Sequence, residues 1–89
     1  MDGVHRMRLE KKINPKDMIF HLNTLDLDDG IRIDGVKKKI FVNKTDVHEF
    51  VLQIKEDNGS EQISYHRSAS GVMRLVNATL KEKFSVSTY

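Results

Sequence analysis

The chain of 89 residues contains no cysteine. It therefore has no disulfide bond and no cysteine-ligated zinc site to support a small fold. Its length suffices for one domain with a single hydrophobic core, and a core of this size contributes only about 3–5 kcal/mol of net stability. Self-association is consequently one way in which such a chain gains stability. The absence of cysteine also fits a reducing compartment.

Long apolar runs are absent too. No segment approaches the ~20 apolar residues that a membrane-spanning helix needs. The first residues include charged side chains such as Arg6 and Arg8 and lack the apolar stretch of a signal peptide. We therefore expect a cytoplasmic protein with no membrane partner.

Sequence signatures of catalysis are missing as well. The five glycines are scattered along the chain, so we expect no glycine-rich loop that cradles phosphate. Neither Gly-x-Ser-x-Gly nor Ser-x-x-Lys occurs, and these are local signatures of serine nucleophiles. We expect a protein that is not an enzyme, with no catalytic residue and no cofactor.

The histidines and the acidic turn do not predict a metal site. His48 and His66 are expected to approach each other on one hairpin, but two imidazoles supply at most half of a zinc site. The stretch from Asp26 to Gly30 is acidic, like the start of a calcium-binding loop. Counted from Asp26, however, glycine is at the fifth position and Lys37 at the twelfth, whereas the calcium loop needs glycine at the sixth and glutamate at the twelfth.

A β-hairpin is the strongest structural signal that the sequence does contain. Asn58 and Gly59 lie between two runs of alternating apolar residues, and an Asn-Gly pair favours a two-residue loop in which both residues have positive φ. This loop would place one apolar set on one face of the hairpin. The predicted pairs are Ile54 with Ile63, Leu52 with Tyr65, and Phe50 with Arg67.

Two neighbouring segments admit more than one interpretation. Residues 46–56 fit a helical stripe as well as a strand, and the strand is favoured because β-branched and aromatic residues alternate there. Residues 31–42 read as a second hairpin with two competing registers. A tight turn at Asp34 and Gly35 has the better turn residues. A longer loop with the lysines at its tip pairs Ile33 with Ile40 and Ile31 with Val42.

Helices are predicted at both ends of the domain. Asn14 is a preferred N-cap and Pro15 suits the first helical position. One apolar face follows, formed by Met18, Ile19, Leu22 and Leu25. A second helix is predicted over residues 70–84, capped by Ser68 or Ser70, with its apolar face formed by Val72, Leu75, Val76, Leu80 and Phe84.

These elements predict an α+β fold: an N-terminal helix, a four-stranded antiparallel meander and a C-terminal helix, with the helices packed on one sheet face. Residues 1–12 would be a basic arm, flexible or an edge strand, residues 13–84 the domain, and residues 85–89 a fraying tail. The alternative is a ferredoxin-like βαββαβ plan followed by a C-terminal helix. It requires a strand over residues 4–12 and a helix over residues 46–56.

Charge and the predicted sheet edges give two hypotheses for function. The net charge is only +2, from 15 basic and 13 acidic residues, which is weak evidence for a polyanionic partner. Open sheet edges favour a regulatory or adaptor domain that binds a protein partner or forms a homodimer. The alternative is sequence-tolerant nucleic-acid binding by a basic hairpin and arm, although the 7% of aromatic residues leave few platforms for base stacking. The residues predicted for this alternative are Arg6, Arg8, Lys11, Lys12, Arg32, Lys37, Lys38, Lys39 and Lys44.

Overall fold

The computed structural model describes residues 11–88 as a six-stranded antiparallel sheet with two short helices on one face. The strand order across the sheet is β1-β6-β2-β3-β4-β5. A 3-10 turn, Pro15–Asp17, precedes the first helix. The elements are β1 (Lys12–Ile13), α1 (Met18–Thr24), β2 (Gly30–Asp34), β3 (Lys38–Asp46), β4 (Glu49–Glu56), β5 (Glu61–His66), α2 (Ala69–Thr79) and β6 (Ser85–Thr88).

The predicted architecture of an N-terminal helix, a four-stranded meander and a C-terminal helix is wrong. A strand precedes the first helix, another follows the second, and the sheet has six strands. The ferredoxin-like alternative is not observed either, because residues 46–56 lie mainly in β4 rather than in a helix. Of the predicted basic arm, Lys12 belongs to the edge strand β1 and residues 1–10 lie outside the described residues.

The chain end that was expected to fray is strand β6. It lies between β1 and β2, and Val86 is paired with Ile13 on one side and Ile33 on the other. Val86 is buried, and so is Ser87. Four residues with a single apolar side chain are too few to show the alternation typical of a strand. The extended conformation of β6 is therefore determined by pairing with its two neighbouring strands.

The core is a single layer between the inner sheet face and the helices. Two rows of apolar side chains run across β2, β3 and β4, since Ile33, Ile40 and Ile54 are in register, and so are Ile31, Val42 and Leu52. Full burial of such side chains contributes roughly 1.5–3 kcal/mol each. The helices and flanking strands complete the layer with Ile13, Met18, Leu22, Phe50, Ala69, Val72, Val76, Leu80 and Val86.

Both helices differ in extent from the prediction. The Asn14 side chain accepts a hydrogen bond from the Lys16 N–H at 2.9 Å, but it caps the 3-10 turn rather than α1. Ser68 caps α2, which ends at Thr79 instead of continuing to Phe84. Leu80, in an extended conformation after the helix, is still buried. Within residues 11–88, no helix is long and apolar enough to cross a membrane.

The β2–β3 hairpin adopts the longer-loop register, with Ile33 opposite Ile40 and Ile31 opposite Val42. The tight-turn alternative would have placed Lys38 opposite Ile31, where no exposed position is available for an ammonium group. Burial of the four apolar residues therefore overrides the better turn residues. Lys38 and Lys39 already belong to β3, which leaves Val36 and Lys37 at the tip of the loop.

The predicted register of the β4–β5 hairpin is wrong by one residue. The observed pairs are Ile54 with Gln62, Leu52 with Ser64 and Phe50 with His66. The loop has three residues rather than two, because the Glu56 N–H donates to the Ser60 carbonyl and the Gly59 N–H donates to the Glu56 carbonyl, both at 2.9 Å. Gly59 has a φ of 91°, as in a three-residue hairpin loop that ends on a left-handed glycine.

We expect the Gly59→Ala substitution to destabilise the protein by about 1–2 kcal/mol, because a Cβ disfavours the left-handed conformation. An added Cβ would contact nothing within 4 Å, so the loss reports backbone strain alone. The matched control is Gly71→Ala in the first turn of α2, where φ is not left-handed. Its Cβ would lie 3.4 Å from Ser68 Oγ and from His66 Nδ1, so helix propensity should stabilise by at most roughly 0.5–1 kcal/mol. Urea denaturation followed by circular dichroism measures both, and equal effects of the same sign would contradict the assigned loop.

Candidate interaction surface

The outer face of the sheet is the surface on the side opposite to α1 and α2. Side chains alternate between the two faces of a strand, so the residues between the buried ones on each strand form this face. It is mixed in character, with cationic, acidic, amide and apolar side chains. Its members on the described strands include Lys12, Arg32, Lys39, Phe41, Asn43, Val51, Gln53, Lys55, Glu61, Ile63 and Tyr65.

Strand β5 is one edge of the sheet, since within residues 11–88 it pairs with β4 alone. The Glu56 to Ser60 hydrogen bond determines which residues of β5 bond to β4 through their N–H and C=O groups, because bonded and non-bonded pairs alternate along an antiparallel ladder. Gln62, Ser64 and His66 direct their N–H and C=O groups to β4. Glu61, Ile63 and Tyr65 therefore direct theirs to the open edge.

The same edge carries exposed apolar side chains. Ile63 is 59% exposed and Tyr65 is 66% exposed, and both lie on the outer face beside Gln53 and Val51 respectively. Long open edges with apolar side chains pair readily with another strand, and natural sheets usually protect them. The β5 edge has the backbone groups and the apolar surface that strand addition requires.

The opposite edge of the sheet is different. Strand β1 has only two residues, Lys12 and Ile13, and very short edge strands are a common protection against strand addition. Its neighbour Lys11 is held to β6, because the Lys11 N–H donates to the Thr88 hydroxyl at 3.0 Å. Among the described strands, β5 is consequently the edge better suited to pairing.

The residues predicted for nucleic-acid binding are distributed over several parts of the molecule. Arg6 and Arg8 lie outside the described residues. Lys11 adjoins the edge strand β1, and the outer face carries Lys12, Arg32 and Lys39. Lys37 is at the β2–β3 turn and Lys38 follows it, whereas Lys44 is near the other end of β3.

Carboxylates interrupt this basic set. Arg32 Nε is 2.9 Å from Asp34 Oδ2, and Lys38 pairs with Glu56 across the strands. The backbone N–H of Asp57 donates to the Lys37 carbonyl, which brings another carboxylate to the lysine turn. The described cations therefore do not form one uninterrupted positive band of the kind that tracks a phosphate backbone. Nucleic-acid binding through them stays a prediction.

The two histidines of interest occupy different environments. His66 lies on the inner side of β5, where its Nε2 is 3.0 Å from the Ser64 hydroxyl. His48 is exposed in the turn between β3 and β4. No group of three or more metal-ligating side chains is found among residues 11–88.

Ile63 and Tyr65 are the surface residues that the sequence interpretation missed, since the two-residue loop assigned both to the core face. A signal for the correct assignment was present. Asp57-Asn58-Gly59 also fits a three-residue loop with glycine last, and this loop places the polar residues Gln62, Ser64 and His66 on the inner side of β5. Choosing the three-residue loop from the sequence would have required placing the apolar residues Ile63 and Tyr65 on the surface.

Comparison of the chain with known protein families, curated proteins and solved structures finds no match.

The observed register makes Ile63 dispensable for folding. We expect Ile63→Ala to change the free energy of unfolding by no more than about 0.5 kcal/mol, as for other exposed sites. The matched substitution Ile54→Ala, at a position that is 4% exposed, should cost about 2–5 kcal/mol because it leaves a cavity. Urea denaturation at low protein concentration measures both. A cost at Ile63 as large as that at Ile54 would contradict the register.

Proposed function

We propose that this protein is a non-catalytic interaction domain of regulatory or adaptor type, which forms a homodimer through its β5 edge. The observation that carries the proposal is the side of β5 that pairs with no other strand within residues 11–88, with Ile63 and Tyr65 exposed next to it. The small core and the absence of disulfides also favour association. Pairing of the two β5 strands would extend the sheet across both copies.

A two-fold axis determines how the strands would pair. In an antiparallel pair, the backbone bonds join residues whose N–H and C=O groups both face the partner. An axis through Ile63 uses all three such residues of β5 in each copy. It places Ile63 opposite Ile63 of the second copy, and Glu61 opposite Tyr65 of the second copy. This arrangement is isologous, as expected of a homodimer.

The side chains in this register are compatible. The two Ile63 side chains cover each other on the outer face, and cross-strand apolar pairs contribute about 0.2–1 kcal/mol. Glu61 Oε1 already accepts a hydrogen bond from Gln53 Nε2 at 2.9 Å, which leaves the other carboxylate oxygen for the Tyr65 hydroxyl of the second copy. No like charges face each other among these three pairs.

Sedimentation equilibrium tests the proposal. We expect the wild-type protein to form a concentration-dependent dimer, and Ile63→Lys to weaken it by at least about tenfold, since two desolvated ammonium groups would meet at the axis. Val36→Lys is the matched control, because Val36 is 72% exposed and lies at the β2–β3 turn, which β4 separates from the β5 edge. A wild-type protein that remains monomeric at millimolar concentration would remove the homodimer from the proposal.

A pair of proline substitutions tests which backbone groups are free. Proline is tolerated on an edge strand only where the lost N–H faces outward. Ile63→Pro should therefore abolish dimerisation while leaving a folded monomer, whereas Ser64→Pro should destabilise the monomer by several kcal/mol, roughly 3 or more, by removing a ladder hydrogen bond to β4. Circular dichroism and sedimentation measure both effects. Equal destabilisation by the two prolines would contradict the assigned edge.

A further inference from the structure

A polar cavity of about 300 Å³ lies at one end of the molecule, away from the lysine turn. Three parts of the chain contribute to it: the end of α1, the stretch from the end of β3 through the turn into β4, and the connection from β5 into the first turn of α2. The polar side chains lining it are Asn23, Lys44, His48, Arg67, Ser68 and Ser70. The cavity is distinct from the β5 edge and carries no role in the proposed homodimer.

The charge of the cavity has one sign. Two permanent cations, Lys44 and Arg67, and the ionisable His48 line it, whereas no described carboxylate does. Within residues 11–88, none of these three side chains makes an ion pair at 4.0 Å or less. Asp28 and Asp29 adjoin the Lys44 backbone through hydrogen bonds of 2.9 and 3.0 Å, but they do not line the cavity. Like charges that line one cavity oppose one another, so an anion is the ligand that this lining suits best.

Neighbouring groups orient the cations and add hydrogen-bond donors. The Lys44 ammonium lies 5.8 Å from the centre of the Phe50 ring, close enough for the ring face to hold it at the cavity wall. The Ser68 oxygen accepts from the Gly71 N–H at 3.1 Å, which leaves the Ser68 O–H free to donate. Ser70 and Asn23 supply a hydroxyl and an amide.

We propose that this cavity binds the phosphate group of a small phosphate monoester. The guanidinium of Arg67 offers the planar pair of donors that matches phosphate, and Lys44 adds a compact charge. The volume lies at the lower end of the roughly 300–1,000 Å³ typical of small-molecule sites, and it leaves space for a short group beyond the phosphate. Free phosphate presents the same chemistry and is the other source of the ligand.

An NMR titration tests this site, with inorganic phosphate and glycerol 3-phosphate as probes and sodium chloride holding the ionic strength constant. We expect saturable shifts at the amides of His48, Ser68 and Ser70. Arg67→Gln and Lys44→Gln should each weaken binding by about tenfold or more, the loss expected for a charged hydrogen bond. Arg74→Gln is the matched control, since Arg74 is exposed on α2 and does not line this cavity.

The two probes separate the sources of the ligand. Tighter binding of glycerol 3-phosphate supports a monoester, and equal binding identifies free phosphate as the ligand. A well-dispersed spectrum is required of each variant as evidence that it is folded. Lys44→Arg keeps the charge and should retain binding, so it tests the position even if Lys44→Gln does not fold. Shifts that sodium chloride alone reproduces, or equal losses in Arg74→Gln, would overturn the site.

A nucleic acid is the competing occupant of a basic cavity. A single-stranded oligonucleotide of mixed sequence, titrated under the same conditions, distinguishes it. If Arg67→Gln weakens binding of the oligonucleotide while neither phosphate probe binds or competes, the cavity recognises a polyanion and the small-molecule proposal is wrong. Saturable binding of glycerol 3-phosphate that Arg67→Gln weakens, with no oligonucleotide binding, supports it.

Discussion

Two rows of apolar side chains across β2, β3 and β4 are the constraint on which the rest of the molecule depends. Ile33, Ile40 and Ile54 form one row, and the parallel row is Ile31, Val42 and Leu52. Because strand side chains alternate, burying these rows on the inner face directs the side chains between them to the outer face. Both helices then have one face to cover, and neither α1 nor α2 lies on the outer face.

The sequence predicts the parts of the fold in which pairing and burial agree. Ile31, Ile33, Ile40 and Val42 can all be buried only in the longer-loop register, so one of the two alternatives weighed from the sequence is the observed hairpin. Strand β4 was also favoured correctly over a helix. An edge strand was one of the two predictions for residues 1–12, and β1 includes Lys12, whereas β6 was not predictable as a strand because four residues are too few to show a period of two. They exist through pairing with partners distant in sequence.

The candidate surface shows a different limit. The β4–β5 loop differs from the predicted one by a single residue, and that residue moves Ile63 and Tyr65 from the core to the surface. Local turn preferences differ too little to decide between such loops. The cavity lined by Lys44, His48 and Arg67 was unpredictable for another reason. Lys44, His48 and Arg67 are brought together only by the turn of β3 into β4 and the start of α2, which no local pattern encodes.

Neither surface is explained by folding. An apolar stripe beside an open strand favours aggregation, and cations that line one cavity repel each other, so neither feature benefits the isolated monomer. The core gains nothing from Tyr65 or from Arg67, which are exposed in the monomer. Binding offsets both costs, since any partner that recognises only the folded chain stabilises it in proportion to RT ln(1 + [L]/Kd). For a small core without a disulfide, the free energy of unfolding would therefore rise when a partner binds to either surface.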